Sequence, residues 1–244
     1  MAERPLEDPD EAMRYLLDRI CSLIGAQNAS WIGALRVSGE YLEDPLSGWR
    51  PRIVFFLHAF PDLVERSRQN VKDLERGEID PSIVRNVAGA GTFRVNRLVD
   101  LVPPQWFESA YFHATYINKG RNDAIWAGVP VNGGAECYFG IYRGPRTPPF
   151  SPEERDAVGY FLRGLKWFLR RHMLSHGLLI AETPLTATER KVLHGLLTGW
   201  SEKEIAAKIG QSYNTTHAHV GMLYRKFGVK NRSALMALWI GGGA

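Results

Sequence analysis

The sequence predicts an α+β chain: an N-terminal α/β sandwich with a central antiparallel sheet flanked by helices, then a small all-α module of four helices. Three observations carry this expectation. A length of 244 residues leaves room for one large domain or two smaller ones. The apolar pattern changes near residue 185, from strand-like runs punctuated by Gly, Pro and Asn to stripes at helical spacing. Charge is divided unevenly as well. From residue 184 onward eight basic residues face three acidic ones, a net +5, whereas residues 1–183 hold 22 and 23, a net −1. A nearly neutral large domain joined to a basic module follows, and the natural partner of such a module is a polyanion.

The first element is a helix over residues 8–25. Asp8 caps it, Pro9 takes its first position, and Met13, Leu16, Leu17, Ile20, Leu23 and Ile24 form one stripe up to Gly25. Apolar runs at 31–37, 53–58, 125–131 and 136–142 read as strands, with a further short strand or extended segment at Arg94 to Val99. Helices are expected at about 61–76 and 103–113. Ser151-Pro-Glu-Glu154 then opens a long helix to about Ser175, with Val158, Phe161, Leu162, Leu165, Phe168, Leu169 and Met173 on one side.

Beyond residue 184 the signals are sharper. Thr186-Ala-Thr-Glu189 and Ser201-Glu-Lys-Glu204 are capping boxes, and each opens a short helix that ends at a glycine, Gly199 and Gly210. After the turn Gly210-Gln-Ser212, a third helix runs to about Phe227; Gly228 ends it, and Asn231 caps a fourth. Thr216, Val220, Leu223 and Phe227 fall on one face of the third helix at 4-3-4 spacing, which marks the core side. Its opposite face presents Asn214, His217, Ala218, Gly221 and Arg225, polar or small residues able to enter a major groove. Two helices joined by a tight turn, the second with such a face, make a helix-turn-helix. Lys203, Arg225, Lys226, Lys230 and Arg232 flank it within reach of phosphates.

The runs Leu185-Thr-Ala-Thr-Glu189-Arg190, Glu204-Ile-Ala-Ala, Thr215-Thr-His-Ala-His219-Val and Tyr224-Arg-Lys-Phe-Gly-Val229 resemble the LuxR-type DNA-binding domain over about 60 residues. The resemblance implies a cytoplasmic transcription regulator on double-stranded DNA, acting as a homodimer. The DNA-binding residues expected are Ser201, Lys203, Ser212, Asn214, Thr215, His217, Ala218, Gly221, Arg225, Lys226, Lys230 and Arg232. Two positions depart from the family. His217 stands where the family often has lysine, and Gly221 where a long polar or basic side chain is frequent. Neither can make the arginine or lysine contact to guanine, so ordinary phosphate anchoring with atypical or modest base discrimination is expected.

Trp106 to Tyr142, with Gly-Ile-Tyr-Arg143 and Phe150-Ser-Pro-Glu-Glu154, resembles the end of GAF-like sensor domains joined to LuxR-type modules, and the element order is of the GAF/PAS kind. The resemblance implies a small-molecule sensor, with Trp106, Tyr111, Phe112, Tyr116, Trp126 and Tyr138 as ligand-binding candidates. Acyl-homoserine-lactone receptors of quorum sensing share the overall order. Asp80-Pro81 matches their pocket signature, but Ser67 and Val71 stand where its aromatic pair belongs. A quorum-sensing-type signal other than the lactone fits this break; a ligand-free interaction platform or anti-activator is the alternative.

The expected organisation is a sensing and dimerising domain over 1–176, a linker over 177–184, and the helix-turn-helix over 185–244. Other classes fall away. The longest apolar stretches, such as Ile53 to Leu57, are far short of the roughly 18 residues of a membrane helix, and the acidic start lacks a signal core. Cys21 and Cys137 read as reduced core thiols. The chain has no nucleophile elbow, phosphate loop or acid/base carboxylate pair, so no catalytic residue and no cofactor is expected. His172 and His176 share a helix face, but with no third ligand in sight they read as capping or solvent-exposed and no metal is expected.

Overall fold

The computed structural model describes residues 9–37, 43–59, 79–179 and 184–240. They fall into two compact units, one drawn from Arg14–Lys166 and the other from Met1–Met13 with Trp167–Ala244. The helix expected at 61–76, the pair Ser67 and Val71, and the Asp8 cap lie outside the described residues.

In the first unit the part of α1 (Pro9–Ile24) from Arg14 onward leads into a five-stranded antiparallel sheet of order β2-β1-β5-β4-β3. The strands are β1 (Asn28–Arg36), β2 (Trp49–Phe56), β3 (Arg94–Arg97), β4 (Asp123–Asn132) and β5 (Ala135–Arg143). Gly133 and Gly134 join β4 to β5, and Asn132 Oδ1 accepts the Gly134 amide at 2.9 Å. The central strand β5 is buried along its whole length, which is why its sequence is a near-continuous apolar run rather than an alternating one. Pro51, lacking an amide proton, is tolerated in the edge strand β2, opposite a register shift at Gly33/Ala34.

Each sheet face has its own helical layer. Arg14 of α1 stacks on Phe55, which is paired with Trp31, so α1 covers the face of Trp31, Ile125, Cys137, Phe139 and Ile141. α5 (Pro152–Arg163) covers the same face, with Gly159 against Val95. The buried Cys137 thiol is pushed up to about 12 by desolvation. The other face carries Ser30, Trp126, Tyr138 and Tyr142. It is covered by α2 (Pro81–Ala88), whose Asn86 accepts from Asn96 of β3 at 3.2 Å, and by α3 (Leu98–Leu101) and α4 (Ala110–Thr115).

Two expected helices are corrected. The segment at 103–113 is a 3-10 turn, Pro104–Glu108, followed by α4, because the Ser109 hydroxyl accepts the Phe112 amide and starts a new helix. The helix expected from 151 to 175 breaks into α5 and α6 (Lys166–Ser175), since Gly164 caps the first piece. α6 groups with the second unit.

In that unit α7 (Ala187–Leu197), α8 (Glu202–Ile209), α9 (Tyr213–Lys226) and α10 (Arg232–Ile240) enclose a core of Leu185, Val192, Leu193, Leu196, Ile205, Val220, Leu223, Phe227 and Leu235. Both capping boxes form. Thr186 and Glu189 exchange bonds of 2.8 and 3.3 Å, and Ser201 and Glu204 exchange bonds of 2.7 and 3.3 Å.

Candidate functional site

The module is built around the turn between α8 and α9. Gly210, at φ 67°, ends α8 in the left-handed region that favours glycine, and two residues later the Ser212 hydroxyl accepts the Thr215 amide at 3.1 Å. The chain reverses sharply enough to set α9 against α7 and α8. Thr216, Val220, Leu223 and Phe227 are all buried, so the 4-3-4 stripe is the core face. Asn214, Thr215, His217, Ala218 and Arg225 are exposed and Gly221 is half-exposed. Ser201, Lys203 and Ser212 are exposed at the ends of the turn and of α8.

The basic residues are not equivalent. Lys226 Nζ lies 2.7 Å from the buried carboxylate of Glu189, which desolvation raises but this ammonium and the Thr186 amide hold below its ordinary range. The Arg232 guanidinium donates to the Trp200 carbonyl at 2.8 Å, to Gly195 at 3.3 Å, and to Leu196, satisfying carbonyls at the end of α7. Lys203, Arg225 and Lys230 have no acidic partner among the described residues and stand exposed. His217 is also engaged: its Nδ1 lies 2.8 Å from Glu202 Oε2, and the Tyr213 ring lies against it. Sequence reasoning missed Glu202 because fifteen positions and a turn separate the pair.

In the first unit, the structure brings four of the six aromatic candidates into one cluster. Trp106 lies 5.1 Å from Phe112 and 5.4 Å from Tyr116 between ring centroids, and Trp126 sits edge-on to Tyr142 at 5.8 Å. Tyr111 lies at the rim of the group, 37% exposed. Tyr138 belongs to a neighbouring cluster with Ala34, Leu46, Trp49 and Val87, on the same sheet face. Polar groups converge here, of which sequence reasoning did not assign Ser30, Ser82 and Tyr142. Asp80 accepts from the Tyr116 hydroxyl at 2.8 Å and from the Ser82 hydroxyl at 2.7 Å, and the Ser30 and Tyr142 hydroxyls meet at 3.0 Å. Burial and the facing Asp80 charge push the Tyr116 phenol well above its ordinary value, so it stays a donor. The Trp126 indole N–H is buried and has no acceptor among the described residues. Alternation with Tyr138 and Gly140 was the signal that could have placed Tyr142 on this face.

A buried ion pair borders the cluster. Arg94 meets Glu136 in bidentate fashion at 2.7 and 3.1 Å, and its guanidinium lies over Tyr138. Gly128 makes the room, since a Cβ there would overlap the Arg94 guanidinium.

His172 and His176 are buried, contrary to the exposed or capping role expected for them, and Asp10 is the third group beside them. One ligand atom from each lies within 4.8 Å of the others. The place a cation would take is contested by Arg190, whose guanidinium is 2.6 Å from Asp10 Oδ1 and 3.5 Å from His176 Nε2. Asp10 is held well below the ordinary carboxylate range: burial opposes this, and His176 and Arg190 outweigh it. Asp10 was missed because more than 160 positions separate it from the histidines.

Residues 183–239 match the family model described as bacterial regulatory proteins, luxR family. The helices of that segment form a LuxR-type helix-turn-helix domain. Over 56 residues the chain is 46% identical to the Probable transcriptional regulatory protein SgaR of Hyphomicrobium methylovorum, a match covering 23% of this chain and 26% of that protein. Over 50 residues it is 46% identical to the Transcriptional regulatory protein UhpA of Escherichia coli (strain K12), covering 20% and 26%. The chain thus spans about a quarter of the length of these curated relatives. Among solved structures, that of SdiA in complex with octanoyl-rac-glycerol matches with TM-score 0.46 at 17% identity, covering 97% of this chain and 90% of that one. The VqsR LBD domain from Pseudomonas aeruginosa matches with TM-score 0.44 at 14% identity, covering 69% and 87%. No described helix is long and apolar enough to cross a membrane.

Proposed function

We propose that the chain is a DNA-binding transcription regulator whose C-terminal helix-turn-helix docks α9 in the major groove and whose N-terminal unit, a sensor of the GAF/PAS kind, takes up a small molecule. The observation that carries the first part is the outward flank of α9: Asn214, Thr215, His217 and Ala218 are exposed on a helix whose other side anchors the module core. Lys203, Arg225 and Lys230 are its phosphate contacts. Replacing Lys203 and Arg225 together with alanine weakens binding to any duplex and flattens its dependence on salt, read by fluorescence anisotropy across a salt series. Binding equal to wild type at every salt concentration rejects the groove assignment.

The sensor reading is supported by the buried Trp126 N–H and the Asp80 carboxylate beside an aromatic cluster. An apolar ligand with a carbonyl or hydroxyl group would satisfy the indole donor. Mass spectrometry of denatured protein, or thermal stabilisation by a metabolite panel, tests this; a folded unit that carries nothing and responds to nothing rejects it. The chain acts as a homodimer in this reading, because one small module contacts too little DNA while two read half-sites about one helical turn apart. Tyr160 on α5, 90% exposed, is a candidate contact, and light scattering that shows a monomer with and without DNA counts against it.

A further inference from the structure

His217 projects from the outer face of α9 with 67% of its side chain exposed, while Glu202, in the first turn of α8, is only 27% exposed. Nδ1 of the imidazole lies 2.8 Å from Glu202 Oε2. One turn back on α9, the Tyr213 ring lies nearly parallel to the imidazole, with planes at 20° and centroids 6.0 Å apart. The tyrosine restricts the plane of the ring, and the carboxylate decides which edge of the ring turns inward.

A carboxylate offers only acceptor oxygens, so the single N–H of a neutral imidazole beside it sits on Nδ1. Nε2, on the far edge, then carries a bare lone pair. We propose that Glu202 fixes His217 as a hydrogen-bond acceptor toward DNA, so that α9 selects a base bearing an amino group, cytosine or adenine, at the position His217 reaches. The inference rests on the reading of α9 as the groove helix. In the major groove cytosine N4 and adenine N6 donate, whereas guanine N7 and O6 and thymine O4 accept. Against guanine an accepting Nε2 sets lone pair against lone pair. Lysine and arginine can only donate, so histidine at this position reverses the class of base that is read. Glu202 is a positioning residue: it acts through His217, and its own charge repels phosphate.

Two measurements on the full-length chain test the inference. The first is nitrogen-15 NMR of histidine-labelled protein at about pH 8. The expected spectrum has the His217 proton on Nδ1 in wild type and shared with Nε2 in Glu202→Gln, whose amide can donate as well as accept. The second is selection from a randomised duplex library by wild type, Glu202→Gln and His217→Ala. Wild type enriches cytosine or adenine over guanine at one position per half-site by about three- to tenfold, as one hydrogen bond allows. His217→Ala loses that enrichment and Glu202→Gln relaxes it, with unfolding midpoints unchanged. A proton on Nε2 in the free wild type, or an undiminished preference in Glu202→Gln, overturns the inference and leaves the DNA-binding reading standing. Failure of wild type to retain any duplex overturns that reading, and the base preference with it.

Discussion

Gly221 occupies a helical position on the outer side of α9, and a Cβ built there meets nothing nearer than Arg225 Nη1 at 3.7 Å. Replacing it with alanine restricts the unfolded chain and fits the helix, so stability should rise by about 0.5–1 kcal/mol. Thermal melting checks this, and a lowered midpoint contradicts it. Arg232 behaves oppositely. Its removal strips a charged donor from carbonyls at the end of α7, and Arg232→Ala should cost about 1–2 kcal/mol in denaturant unfolding, independent of any DNA. Sequence reading grouped Arg232 with the phosphate contacts because a basic residue at a helix start looks the same in sequence whether it meets a phosphate or a carbonyl. The exposure of His217 on the outer flank of α9 was legible, but its bond to Glu202 was not, since that depends on a residue from another helix.

At the scale of elements, helix starts were the most legible feature. Thr186, Ser201 and Ser212 cap the helices at which their hydroxyls were read, because a cap is a local bargain between one side chain and one amide. Ser212→Ala should therefore loosen the first turn of α9 and lower stability by about 1 kcal/mol, with faster amide exchange at Thr215. Breaks were less legible. The stripe from Val158 through Leu162 to Leu169 and Met173 keeps nearly helical spacing across Gly164, so periodicity alone runs α5 into α6. Strand existence could be read from apolar runs, but the order β2-β1-β5-β4-β3 is set by long-range pairing that no local pattern encodes. The candidate ligand cluster shows the same division. Its aromatics were legible as residue types, whereas the union of Asp80, Ser82 and Tyr116 required the fold.

For the molecule as a whole, acid stability depends on groups the fold keeps from their ordinary charge. Burial holds the His172 imidazole down at about 3 against an ordinary 6.5, with His176 and Arg190 adding to the effect and Asp10 opposing it. The unfolded chain binds this proton first. The stabilising contribution is complete above 6.5 and is lost as pH falls toward about 3. Carboxylates held low by cations act in the same sense at lower pH: Glu154 by Arg143, and Asp100 by Arg97. Melting temperature should accordingly fall on acidification below 6.5, and His172→Gln should flatten the upper part of that curve. A second expectation concerns independence. The core cluster draws its buried residues from Leu185 to Leu235, so a fragment of residues 184–240 should unfold cooperatively by circular dichroism. The engagement of Lys226 by Glu189 and of Arg232 by backbone carbonyls has one more outcome. A bare tally of the five basic residues that flank α9 suggests a large cloud of ions displaced from the double helix, yet of these five only Lys203, Arg225 and Lys230 stand exposed without a partner among the described residues. Each module should then free about three counterions through them, giving a logarithmic slope of about −2.7 rather than about −4.5.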